Sequence, residues 1–305
     1  MPFQSSKDNQ GSGQIFSGKA GTRSFYPAVK GWTQDYFKSW DGTRIFYRFF
    51  AAPGAKHTMI LLHGYGEHSE RYQKFSERLK GLPAQMAIMD FRGMGRSEGA
   101  RGDIHHFEDY FRDISAFVEH LRVKHGIPKQ FILFGHSMGG LVAVHWALKN
   151  PEPVRMLVLS APFFNFRTEW LARILNWFFA VFIPRFIFWN PVRVKTLTHQ
   201  PDEIATHTQD PLILRFISAR LAGEIMRSIE DLRKRPILSV PFPVAMLSAG
   251  DERVVDPVAS RKFFDRLVAP RKERFVFEGF YHEIFNEIDQ QKVFNVLKTI
   301  IEDCV

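Results

Sequence analysis

Cysteine is almost absent from this chain. Of 305 residues only Cys304 carries a thiol, so an intramolecular disulfide is excluded and folding needs no oxidising compartment. No run of about 18 uninterrupted apolar residues occurs, which argues against a membrane-spanning helix. Residues 1–21 are polar and rich in Gly, Ser and Gln. They lack a basic segment followed by an apolar one, so no signal peptide is expected. Metal-ligand spacing is missing too. In His282-Glu283-Ile284-Phe285-Asn286 an Asn stands where an H-E-x-x-H pair needs its second His. With one cysteine and no such pair, no metal site is expected. The expected location is cytoplasmic.

Acidic residues are outnumbered, with 41 Lys and Arg against 32 Asp and Glu, a formal net charge of +9 and a pI of about 9.6. Such a balance suits an anionic partner, for example a membrane surface. No nucleic-acid-binding motif accompanies the charge, so nucleic acid is not expected as a partner. The sequence sets no oligomeric state.

Strand and helix signals alternate along most of the chain. Residues 1–31 read as a flexible arm. A hairpin is expected from Asp35–Trp40 and Thr43–Phe50, turning at Asp41-Gly42. Further strands are expected at Thr58–Leu62, Met86–Phe91, Phe131–Phe134, Met156–Leu159, Val244–Ser248 and Arg274–Phe277. Expected helices are Glu67–Lys80, Phe107–Lys124, Met138–Lys149, Ala259–Leu267 and Glu287–Glu302. In the second of these, Phe107, Phe111, Ile114, Phe117, Val118 and Leu121 share one face. The order predicts an α/β fold with a mostly parallel, eight-stranded sheet covered by helices on both faces. The rhythm stops at Ala161 and resumes near Pro241. Residues 32–161 and 239–305 therefore read as the core, and 162–238 as a helical insertion.

The chemistry centres on Gly135-His136-Ser137-Met138-Gly139, which follows an apolar run and opens a helix-like segment. This is the G-x-S-x-G nucleophile elbow in its strand–turn–helix setting. A serine hydroxyl is a weak nucleophile and needs a base within reach, and such serine chemistry calls for no cofactor. A tight turn lifts it clear of the backbone, and the flanking glycines let strand and helix pass closely. In this chain order an acid and then a His should follow. Asp251, directly after the strand-ending Gly250, is the expected acid, in competition with Glu252 and Asp256. Asp256-Pro257 reads as a helix entrance. His282, after another strand, is the expected base. His63 and His68 precede the serine, and His136 is expected to point away from it. The oxyanion requires fixed backbone donors. The amide of Met138 and that of Tyr65, in the loop His63-Gly64-Tyr65-Gly66-Glu67-His68, are the candidates.

Together these residues resemble a family. His63-Gly64-Tyr65-Gly66-Glu67-His68-Ser69 with Arg71-Tyr72, Asp90 with Gly93-Met94-Gly95-Arg96-Ser97-Glu98-Gly99, and Gly135 through Gly140 are similar to the monoacylglycerol lipase and lysophospholipase group of α/β-hydrolases. Asp210-Pro211-Leu212, Gly250-Asp251, and Tyr281-His282-Glu283 with Asn286-Glu287 extend the likeness over roughly residues 36–303. Met94 departs from it, standing where many members carry His. The resemblance implies a serine carboxylester hydrolase with a lipid-facing helical cap. It supports Ser137, Asp251 and His282 as the triad, with Tyr65 and Met138 as oxyanion donors.

The insertion is rich in aromatic residues. Trp170–Ile183 is helical in pattern but apolar on nearly all sides from Trp177 onward. Pro184 should end it, and Phe186-Ile187-Phe188-Trp189 follows. Trp177, Phe178 and Phe182 are the candidate acyl-binding residues. Between 167 and 195, Arg167, Arg173, Arg185, Arg193 and Lys195 face a single acid, Glu169. Basic residues beside aromatic ones fit an anionic lipid surface. The expected function is hydrolysis of a single-chain lipid ester, foremost monoacylglycerol, through an acyl-enzyme on Ser137. Peripheral membrane contact would be made through the cap. Competing readings are a lysophospholipase, a broad esterase or thioesterase of the same fold, and a non-catalytic lipid-binding scaffold.

Overall fold

The computed structural model describes Tyr26 and residues 29–165, 179–189 and 192–303. The N-terminal arm up to residue 25, and Trp177 and Phe178 of the insertion, lie outside the described residues.

One eight-stranded sheet organises the chain. Its strands are β1 (Trp32–Lys38), β2 (Arg44–Phe50), β3 (His57–Leu62), β4 (Ala84–Met89), β5 (Phe131–His136) and β6 (Val154–Ser160), then two more after the insertion. Within the insertion, β7 (Ile187–Trp189) and β8 (Phe216–Ser218) pair with each other, antiparallel. Beyond it come β9 (Leu238–Ser239), β10 (Val244–Ala249), β11 (Leu267–Val268) and β12 (Lys272–Phe277). The main sheet runs β1-β2-β4-β3-β5-β6-β10-β12. The pairings of β2 with β1 and with β4 are antiparallel, and all the others are parallel. The central strands β3 and β5 are buried throughout, as expected of parallel strands covered on both faces.

Two apolar layers make that cover. On one face, α2 (Glu108–His125) and α3 (Met138–Lys149) pack Phe111, Ile114, Phe117, Leu121 and Trp146 against Ile60, Leu62 and Leu133. On the other, Phe75 of the short α1 (Lys74–Arg78) meets Phe134, Phe285 and Phe294. The six positions expected to share a face around α2 are all buried.

The sheet rhythm resumes after an insertion that holds α4 (Pro201–Gln209) and α5 (Ala219–Lys234) besides β7 and β8. The two strands differ from the all-helical expectation. Their pairing joins residues about thirty apart, which local pattern does not reveal. The insertion is fastened to the core by the Leu214 N–H to the Gly66 carbonyl (2.8 Å) and by the Glu283 N–H to the Leu197 carbonyl (2.8 Å). His68 and Asp210 pair at 2.7 Å, and Arg220 pairs with Asp103. Two helices, α6 (Pro257–Arg266) and α7 (Gln291–Glu302), complete the core. Among the described residues, no helix is long and apolar enough to cross a membrane.

Candidate active site

The turn between β5 and α3 is tight. Ser137 has φ 51° and ψ −119°, a region that costs a non-glycine residue about 1–3 kcal/mol. Its neighbours must be small. A Cβ on Gly135 would stand 2.5 Å from the Gly139 carbonyl oxygen, and one on Gly139 would stand 2.3 Å from the Leu62 carbonyl oxygen. The Ser137 N–H donates to the Ser160 carbonyl (3.0 Å), and the Gly140 N–H donates to the Ser137 carbonyl (2.9 Å). The turn is therefore held from the adjacent strand and from its own helix.

His282 follows β12 on a buried loop. Ser137 Oγ lies 2.9 Å from His282 Nε2. On the other side of the ring, Nδ1 lies 2.8 Å from Glu252 Oε2. The expected acid, Asp251, is not in this line. Its backbone N–H donates to the Phe280 carbonyl (3.0 Å), and its side chain turns outward, 58% exposed, to Arg253 at 3.4 Å. The backbone explains the displacement by one residue. Gly250 passes so close to the next loop that a Cβ there would be 2.7 Å from Glu278 Cα. Asp251 continues that contact through its main chain, so the next side chain, one methylene longer, faces the imidazole. The amides of Val254 and Val255 donate to Glu252 Oε1 at 2.8 and 3.2 Å. Asp256 accepts from the Val258 N–H at the start of α6, as the helix entrance predicted. Because Glu252 adjoined Asp251 among the carboxylates after β10, residue type alone could not separate them.

Electrostatics support the alignment. Burial alone would push the His282 imidazolium down, but the charge and hydrogen bond of Glu252 outweigh it and hold the group above the ordinary 6.5. Burial would raise Glu252; the His282 charge and bond, with the two backbone donors, bring it below the usual carboxylate value. His136 packs against the His282 ring, centroids 5.0 Å apart, instead of pointing clear of the site. Burial pushes it down to about 4, so at neutral pH it adds no second positive charge there.

The two oxyanion candidates come from separate elements. Met138 is the first residue of α3, and its N–H therefore has no intrahelical partner. Tyr65 follows Gly64, where an added Cβ would lie 3.3 Å from Ser137 Cβ, so this loop lies directly against the elbow. The loop is braced: Gly64 N–H donates to Glu67 Oε1 (2.5 Å), and the Tyr65 hydroxyl donates to the Phe216 carbonyl of the insertion. This bracing also interrupts the helix expected over Glu67–Lys80. A 3-10 turn at Ser69–Tyr72 and the five-residue α1 replace it. His63 and His68 are committed elsewhere, His63 Nε2 to the Phe91 N–H (2.9 Å) and His68 to Asp210.

Phe182, expected to bind the acyl chain, faces outward and is 63% exposed. The aromatic residues beside it pack on one another instead: Phe179 stacks on Phe186 (4.4 Å), and both meet Phe188 edge-on. That packing turns Val181, Phe182, Ile183 and Trp189 toward solvent.

Comparison with known proteins gives the family. The family described as serine aminopeptidase, S33 matches residues 53–289. A monoacylglycerol lipase of Mycolicibacterium smegmatis is 30% identical over 269 residues, which are 83% of this chain and 90% of the relative. A phospholipase of Bacillus subtilis is 27% identical over 254 residues, 81% of this chain and 95% of that protein. Among solved structures, the monoacylglycerol lipase of Paleococcus ferrophilus superposes with a TM-score of 0.77 at 26% identity, covering 86% of this chain and 99% of the other. Since the family match spans most of the chain, the chain belongs to the serine aminopeptidase S33 family of α/β-hydrolases and is a serine hydrolase.

Proposed function

We propose that this chain hydrolyses the ester bond of a single-chain lipid, foremost monoacylglycerol, through an acyl-enzyme on Ser137. The observation that carries the chemistry is the unbroken line Ser137–His282–Glu252, at 2.9 and 2.8 Å. Ser137 attacks the ester carbonyl while His282 takes its proton. The Met138 and Tyr65 amides receive the oxyanion. Glu252 keeps the Nδ1–H tautomer of His282 and stabilises the imidazolium. His282 then passes the proton to the departing alcohol, and in the second half it activates water to release the fatty acid.

The insertion supports the lipid half of the reading, with residues 162–238 acting as a lid. Phe182 (63% exposed) and Trp189 (77%) stand out from it beside Val181, Ile183 and Ile187, with the exposed Arg185 among them. Aromatic and aliphatic side chains bordered by arginine fit the interface of an anionic bilayer. The names of the Mycolicibacterium and Paleococcus relatives point the same way.

One panel tests the reading. Monoacylglycerol, diacylglycerol, lysophosphatidylcholine and a short water-soluble ester are compared, with Ser137→Ala as blank. Monoacylglycerol should be turned over fastest. Turnover of the short ester alone would overturn the lipid assignment. The Bacillus phospholipase favours a second reading, a lysophospholipase, which faster turnover of lysophosphatidylcholine would support. Flotation with anionic vesicles tests the lid: chain left at the bottom of the gradient would rule out membrane contact.

A further inference from the structure

A cavity of about 640 Å³ opens at the amino ends of the central strands, the opposite end of the sheet from Ser137. It is formed where three neighbouring parallel strands begin: Lys56 and His57 at β3, Lys129 and Phe131 at β5, Glu152 and Arg155 at β6. Ser137 follows the carboxyl end of β5. The six-residue strand therefore separates it from the cavity by about 20 Å, and the cavity is no part of the catalytic site.

Among the described residues, Lys56, Lys129 and Arg155 line it together with one carboxylate, that of Glu152. Buried His57 registers that field: its imidazolium is pushed down first by burial and then by the charges of Arg155 and Lys56. Positive charges gathered in one concavity attract an anion to it. The volume falls in the range of small-molecule sites. A wall of lysine, arginine and glutamine suits an acyl chain poorly. An arginine fork with two lysine point charges is the set that recognises phosphoryl oxygens. The buried Phe131 and Ile132 form an apolar floor for the organic remainder of such a ligand.

We propose that this cavity binds a soluble phosphorylated small molecule, its phosphoryl group held by Arg155, Lys56 and Lys129. The site is separate from the ester-binding site and independent of the lipid assignment.

Calorimetric titration of the full chain with pyrophosphate, at constant ionic strength set with chloride, tests it. Saturable binding of one pyrophosphate per chain is expected. The affinity should fall at least tenfold in Lys56→Gln/Lys129→Gln and in Arg155→Met, and stay unchanged in Lys80→Gln, an exposed lysine outside the cavity. Both lysines of the double variant are exposed, so the test stays readable even where Arg155→Met fails to fold. Absence of saturable heat, or equal affinity in the double variant, overturns the proposal. So does binding to phosphatidic acid vesicles without binding to pyrophosphate, which would place a lipid headgroup there instead of a soluble ligand.

Discussion

Glu252 Oε2 lies 2.8 Å from His282 Nδ1, while the carboxylate one residue earlier, Asp251, faces solvent beside Arg253. The two acids should therefore respond very differently to loss of charge. Glu252→Gln removes the acceptor that fixes the imidazole tautomer, and kcat should drop about 10³–10⁴-fold. Asp251→Asn disturbs only an exposed ion pair, and kcat should stay within about threefold. Steady-state kinetics on one ester substrate decide the matter. The reverse ranking would restore Asp251 as the acid.

The same pair sets a pH dependence. In the proposed mechanism His282 must be neutral to accept the Ser137 proton, and its imidazolium is held above 6.5. A raised value means that the charged form survives to higher pH. Activity is thus lost as pH falls, with the acidic midpoint of kcat/KM above 6.5. In Glu252→Gln the main raising influence is gone and burial remains, which favours the neutral ring. The midpoint of the residual activity should move down. A pH profile of both enzymes with the same midpoint would separate His282 titration from Glu252.

What the sequence revealed depended on how local each signal is. The buried strands β3 and β5, the apolar face of α2 and the glycine spacing around Ser137 rest on neighbouring residues, so pattern alone showed them. The choice between Asp251 and Glu252 depends on the path of one peptide past Glu278, a contact between loops 28 residues apart. Two adjacent carboxylates offer no other distinction. The helix expected from Glu67 onward fails for a similar reason. The Glu67 carboxylate bends back to the Gly64 N–H, a use of the side chain that helical periodicity does not encode. Hydrophobicity alone puts Phe182 with the acyl-binding residues, whereas the mutual stacking of Phe179, Phe186 and Phe188 leaves it outside.

Strain at the elbow should be measurable. At φ 51° Ser137 occupies backbone space that glycine enters freely. Ser137→Ala and Ser137→Gly should both abolish turnover. They should differ in stability, because only glycine relieves the strain. Glycine also gains entropy in the unfolded chain, which offsets part of that relief. The net expectation is Ser137→Gly more stable than Ser137→Ala by about 1 kcal/mol. Paired denaturant titrations give the difference, and an alanine variant that is the more stable would show the turn to be unstrained.

Arg71 joins the loop of the proposed oxyanion donor Tyr65 to the loop of the proposed base His282. Its guanidinium binds Glu67 at 2.8 Å and takes Glu283 bidentately at 2.8 and 2.7 Å. Glu67 also accepts from the Gly64 N–H beside Tyr65, and Glu283 directly follows His282. All three side chains are buried. The nearby Arg71 cation holds both carboxylates below their usual range despite burial. Arg71→Met leaves two uncompensated carboxylates in a closed space, which should destabilise the fold by about 3–5 kcal/mol. Adding Glu67→Gln and Glu283→Gln removes both charges and should recover much of that loss, although turnover should stay low because the bridge between the loops is not rebuilt. Arg71→Lys keeps one charge without the fork and should fall between wild type and Arg71→Met in both properties. Thermal unfolding and kcat measured on the four proteins separate the two roles. If the triple variant regained stability and turnover together, Arg71 would serve only to neutralise charge, and the alignment of Tyr65 with His282 would have to come from the rest of the fold.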